Sequence, residues 1–228
     1  MLIKKTFRRC WQKNITVLVV SFFLCCIAIT SFSTETDARE PSSFSFGVQA
    51  GLHNAYMLGL DSQGDDTYRM RRNPVLGIFS DYNFRFSPLR IKTEVSYTRK
   101  GAIFESSAGD PESAYFSYLL DYIEVPLLLI YTPPVEFWQD ADLVLFAGPY
   151  AGYNINAQAR HNDLSHELPE GFNEVDYGAT IGIAADGRNR GVPIKLEGRY
   201  THGFNSVFNN SDLTNISWSV ALGYYLAL

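Results

Sequence analysis

Acids and bases recur on a single parity in three short stretches of this chain. "IKTEVSYTRK" (Ile91 to Lys100) sets Lys92, Glu94 and Lys100 on one parity, "IKLEGRYT" (Ile194 to Thr201) sets Lys195, Glu197 and Arg199, and "SDYNFR" (Ser80 to Arg85) sets Asp81 and Arg85. A fourth stretch, "YIEVPLLLIYTPP" (Tyr122 to Pro134), carries one acid, Glu124, in an apolar run. Successive side chains of a strand point to opposite faces, so within each stretch the charges named share one face. Taking "SPLR" as a turn pairs Phe86 with Ile91, Arg85 with Lys92 and Asn83 with Glu94, which interleaves the two signs. Interleaved charges withdrawn from water form a structural ion-pair network, because a buried charge is costly unless paired. Transport along the charged face is the competing chemistry.

Catalytic and metal chemistry have weaker grounds. The four histidines are His53, His161, His166 and His202, and "RHNDLSHELPE" (Arg160 to Glu170) puts Ser165, His166 and Glu167 side by side. Adjacent residues on a polar loop are not a preorganised triad, which needs nucleophile, base and orienter held in geometry. The donors His161, Asp163, His166 and Glu167 read more simply as a solvated loop than as a metal site. No HExxH helix, phosphate loop or nucleotide fingerprint is present. The expectation is a non-enzyme without cofactor.

The elements that must hold these side chains are strands. Beyond Ser42 the chain falls into eight alternating segments: 44–56, 74–86, 91–104, 115–131, 142–156, 175–185, 193–204 and 214–228. A tilted barrel strand crosses a membrane in about 9 to 11 residues, whereas a helix needs about 20. In "TNISWSVALGYYLAL", Ile216, Trp218, Val220, Leu222, Tyr224 and Leu226 share one face while serine, alanine and glycine share the other. That suits a lipid-facing exterior with aromatic ends and a crowded interior. The connections alternate long and polar with shorter, the asymmetry of an outer-membrane barrel whose long loops are extracellular. The expected fold is an all-β, eight-stranded antiparallel up-and-down transmembrane β-barrel over 44–228, its lumen filled by side chains. A soluble lipocalin-like barrel is the alternative, with the large apolar face turned inward.

The first 38 residues read as a signal peptide: a basic start (Lys4, Lys5, Arg8, Arg9, Lys13), an apolar run from Ile15 to about Phe32, and a small-residue exit between 31 and 38. An uncleaved anchor is the competing reading. A short linker, 39–43, follows. Cys10, Cys25 and Cys26 all lie in this leader, so thiol chemistry, disulfides and cysteine metal sites leave with it. Formal charge is −5 overall, and the 14 bases and 22 acids beyond residue 38 leave −8, which offers nucleic acid no electrostatic footing.

"TEVSYTRKGA" (Thr93 to Ala102), "DYIEVPLLLIY" (Asp121 to Tyr131), "AGPYAGY" (Ala147 to Tyr153) and "LEGRYTHGFNSV" (Leu196 to Val207) resemble the PorT-like outer-membrane β-barrel family of Gram-negative bacteria. The resemblance implies an eight-stranded barrel, delivered by a signal peptide and seated in outer-membrane lipid, with no single activity attached. The segment Gly223 to Leu228 is similar to the terminal strand signal read by the barrel-assembly machinery, with Leu228 where an aromatic is usual. With the interior filled, specific function falls to the long loops as a surface module for a protein or glycan ligand. Loop one offers Asp61, Asp65 and Asp66 with Arg69, Arg71 and Arg72. A narrow channel and a secretion-apparatus component are the alternatives.

Overall fold

A computed structural model describes residues 44–59, 67–69, 71–84, 88–105, 115–135, 137–161, 164–166, 171–209 and 211–227. The expected signal peptide (1–38), the linker (39–43) and Arg85 lie outside them. Eight long strands form the wall: β1 (Phe44–Leu58), β2 (Arg71–Asn83), β3 (Leu89–Lys100), β4 (Tyr115–Tyr131), β5 (Asp142–His161), β6 (Val175–Asp186), β7 (Ile194–Ser206) and β8 (Thr214–Ala227). Each pairs antiparallel with the next, and β1 pairs with β8 through rungs such as Leu52↔Val220, so the sheet closes on itself. Three short strands, Thr67–Arg69, Ile103–Glu105 and Leu164–His166, extend the sheet at the long-loop end.

The apolar face is outside. Leu76, Ile78, Leu127, Leu129, Ile181, Leu196, Val220 and Leu222 are all exposed, while Lys92, Glu94 and Lys195 are buried. This inverts the soluble arrangement, in which charged groups meet water and large apolar groups do not. With Trp218 53% and Tyr224 50% exposed, the lipocalin-like alternative is overturned. Aromatic side chains cluster at both ends of the exterior. Phe44, Phe46, Tyr82 and Phe84 adjoin one another where β1 begins and β2 ends, and Tyr200 packs on Trp218 at 4.5 Å toward the other end. Such girdles mark the two membrane interfaces.

Several element boundaries differ from the sequence expectation, β5 by five residues at its end (His161 against 156), and those of β2 and β3 set the charged rungs. β2 runs from Arg71 to Asn83, three residues earlier than 74–86, and Asp81 stands opposite Lys92 and Phe79 opposite Glu94. The expected pairs Arg85 with Lys92 and Asn83 with Glu94 are therefore displaced by four residues. An even displacement keeps every side chain on its face, so alternation alone could not exclude it. β3 stops at Lys100 because Gly101 has φ 125°, and the Tyr118 carbonyl occupies the place where a Cβ would stand.

Prolines interrupt the ladder locally. Between β3 and β4 the rungs pass from Thr93↔Leu127 to Ser96↔Glu124, skipping the stretch around Pro126, whose ring nitrogen has no hydrogen to donate. The Thr93 hydroxyl reaches the Pro126 carbonyl at 3.4 Å. Between β4 and β5 they pass from Pro126↔Tyr150 to Leu129↔Ala147, skipping the stretch around Pro149. Pro74 falls just beyond the last β2–β3 rung, Val75↔Thr98. There the Arg99 carbonyl accepts instead from Asn73 Nδ2 and His53 Nε2, both at 2.9 Å.

Candidate functional site

The lumen is built from the inward positions of all eight strands, and its charged side chains stand in three layers. Nearest the short turns, Arg90 of β3 bonds Asp186 of β6 at 3.1 Å and approaches Asp81 of β2 at 3.9 Å. The Tyr225 hydroxyl lies 3.0 Å from Asp81 Oδ2 and 2.9 Å from Asp186 Oδ2. Arg188, on the short 3-10 turn Arg188–Arg190 that links β6 and β7, folds back under the barrel to donate to Ser45 Oγ at 2.9 Å and Asn83 Oδ1 at 2.8 Å. These contacts close the end of the lumen at the short turns.

The middle layer spans the lumen. Arg199 of β7 donates to both oxygens of Glu94 on β3, at 2.7 and 2.9 Å, and also to Glu197. Lys92 lies 2.9 Å from Glu94 and 3.1 Å from Glu197, and donates to Gln49 at 3.2 Å. Lys195 lies 3.2 Å from Glu197 and 4.0 Å from the centre of the Phe79 ring. An ammonium over a ring face gains from the ring's quadrupole where water is excluded. One sector stays apolar: Leu128, Ile130, Val144, Phe146 and Ala184 pack together on the inward faces of β4, β5 and β6. The Arg199 guanidinium lies 5.7 Å from the Phe146 ring centre, where the two sectors meet.

In the layer nearest the long loops, Lys100 of β3 holds Glu124 of β4 at 2.5 Å and Asp176 of β6 at 2.7 Å. Tyr150 and Asn215 also donate to Asp176, at 3.2 Å each. Thus Glu124 sits in its apolar strand because it faces this lysine. Among the described residues of the three layers, Arg90, Lys92, Lys100, Arg188, Lys195 and Arg199 balance Asp81, Glu94, Glu124, Asp176, Asp186 and Glu197. Such neutrality is what a low-dielectric interior requires, since each unpaired ion there costs several kcal/mol.

Above Lys100 the lumen ends in an apolar lid that the polar look of "NSVFNNSDL" concealed. Val207, Phe208 and Leu213 of the β7–β8 connection turn inward onto Met57, Ala102, Leu120 and Tyr122, with Phe172 and Tyr118 packed alongside. Phe172 and Phe208 form a β-bridge, fixed by Asn173 N–H to the Val207 carbonyl at 2.9 Å and Asn209 N–H to the Gly171 carbonyl at 2.9 Å. Three apolar residues, Val207, Phe208 and Leu213, flanking a polar stretch are the available signal.

The three histidines with described side chains do not converge. His53 points into the lumen and His202 outward beside Tyr200, while His161 ends β5. The strand Leu164–His166 places Ser165 and His166 in a hairpin extension of β5, where an open loop was expected. Among the described residues no three metal-ligating side chains gather.

A family model described as "Outer membrane protein beta-barrel domain" matches residues 33–209, more than three quarters of the chain. The chain belongs to this outer-membrane β-barrel family. Its place is therefore the outer membrane of a Gram-negative bacterium, which agrees with the exposed apolar wall. Among solved structures it is similar to Ail, the attachment invasion locus protein of Yersinia pestis, at 14% identity over 80% of this chain and 98% of that one, TM-score 0.44. It is also similar to Neisserial surface protein A (14% identity, 78% and 96% of the two chains, TM-score 0.41) and to OprG from Pseudomonas aeruginosa (12%, 82% and 97%, TM-score 0.42). No curated protein matches significantly. In barrels of this kind the long connections face outward and the short turns face the periplasm, which puts Val207, Phe208 and Leu213 at the cell surface and the turn Arg188–Arg190 in the periplasm.

Proposed function

We propose that this outer-membrane barrel is a rigid, closed scaffold that presents its extracellular loops as a surface binding or assembly module for a protein or glycan ligand, and that it performs no catalysis. One observation carries the reading: Glu94 and Arg199 join opposite walls beneath an apolar lid, so side chains occupy the space a conduit would need. The charged lumen then serves closure and stability, and recognition passes to loops held by a fixed frame. A finer affiliation with PorT-like barrels rests on the four segments quoted above, and barrel-assembly machinery would insert the chain through its terminal strand.

The test is photo-crosslinking from 59–70 and 162–174 in intact cells, followed by shortening each loop in turn. A defined crosslinked partner, lost with the loop that captured it, is the expected result. If shortened loops leave the cellular phenotype intact while lumen substitutions abolish it, the binding-module reading fails and a transport role replaces it.

A further inference from the structure

A groove of about 760 Å³ opens on the exterior wall over β6, β7, β8 and β1, and between Gly182 and Gly198 its lining reaches Phe146 and the ion-paired Arg199 of the lumen. Strand register explains it. Arg72, Asn54, Trp218 and Tyr200 stand opposite one another on β2, β1, β8 and β7, forming one outward row. Two residues farther from the extracellular end comes the row Leu52, Val220, Gly198 and Ile183. Gly198 leaves a gap in that row, since a Cβ built on it meets nothing within 4 Å. Apolar side chains thus surround a notch roofed by the Tyr200–Trp218 ring pair. Arg72 stands exposed on the β2 side of the row, at the second residue of a strand that follows an extracellular loop, and no described carboxylate pairs with it. A second exterior groove, of about 610 Å³ around Ala50, Gly77 and Tyr224, has no charged residue in its lining.

We propose that the Gly198 groove is a seat for one outer-leaflet lipid of the phosphorylated acyl-glycolipid class, with an acyl chain in the notch and a phosphate on Arg72. A groove on this face opens into hydrocarbon, so an acyl chain is the occupant its surroundings supply. The cation at the cell-surface end selects an anionic headgroup in the outer leaflet, where phosphorylated glycolipid is the anionic lipid. A guanidinium is well matched to phosphate oxygens.

The test uses the protein purified in zwitterionic detergent with Trp218 as sole tryptophan, Trp11 and Trp138 being replaced by Phe. Diphosphoryl lipid A, its dephosphorylated form and phosphatidylglycerol are titrated separately while Trp218 emission is read. Diphosphoryl lipid A is expected to give a saturable shift, with a midpoint about fivefold weaker for Arg72→Gln, the loss that one interfacial cation explains. Gly198→Leu, which fills the notch, is expected to abolish the shift while heat-modifiable gel mobility shows the barrel folded. No saturable shift, or the same shift in Arg72→Gln and Gly198→Leu, overturns the proposal. An equal response to phosphatidylglycerol overturns the glycolipid assignment.

Discussion

Glu94 on β3 and Arg199 on β7 meet across the lumen through two parallel hydrogen bonds of 2.7 and 2.9 Å. No sheet neighbour joins these strands directly; β1, β2 and β8 lie between them along one side of the wall. The pair therefore braces the barrel across its interior. Arg199→Met is expected to cost about 3 to 5 kcal/mol, the usual penalty for removing one partner of a buried pair. Glu94→Leu with Arg199→Met should cost less than the two single changes together, by about 1 to 3 kcal/mol. Urea unfolding in lipid vesicles measures this cycle, and additive costs would show that the bridge carries no coupling.

Lys100 holds two carboxylates, so its layer responds asymmetrically. Glu124→Leu leaves Lys100 paired with Asp176 at 2.7 Å and is expected to cost only about 1 to 3 kcal/mol. Lys100→Met strands Glu124 and Asp176 together and should cost about 3 to 5 kcal/mol. The same unfolding assay ranks the two variants, and a larger loss for Glu124→Leu would contradict the layer as described.

Phe208 is the lid's largest inward-turned loop side chain. Phe208→Ala is expected to destabilise by about 3 kcal/mol through the cavity it leaves. Planar-bilayer recordings of this variant should stay at baseline, because three ion-paired layers remain below the opening. Steady, charge-selective conductance from the unsubstituted protein that changes with Glu124 would favour the narrow-channel alternative.

Topology is checked from the two ends. Asn209 lies beside the lid and Trp138 in the 132–141 turn, and both are exposed. A membrane-impermeant maleimide should label Asn209→Cys in intact cells and Trp138→Cys only after the outer membrane is broken. The reverse pattern would invert the barrel.

Much of the wall was legible in the chain. "TNISWSVALGYYLAL" shows its two faces because strand periodicity is a local property, and the interior place of Lys92, Glu94, Glu124, Lys195, Glu197 and Arg199 follows from the same parity. The parity that reveals facing is blind to any even slip, which is why β2 and β3 pair four residues away from the "SPLR" register. Asp81 faces Lys92 in the folded barrel; the contacts that choose it, including Tyr225 on Asp81 and Arg90 on Asp186, come from distant parts of the chain.

The order of residues therefore carries the period-two pattern: strands, their number, and which side of each meets lipid. Tertiary structure alone decided which charges meet, because Glu94 and Arg199 are 105 positions apart and only closure of the sheet brings them together. It also decided the lid. Val207, Phe208 and Leu213 turn inward because the barrel mouth offers Met57, Leu120 and Tyr122 as a surface on which to leave water, and that surface exists only once all eight strands have closed.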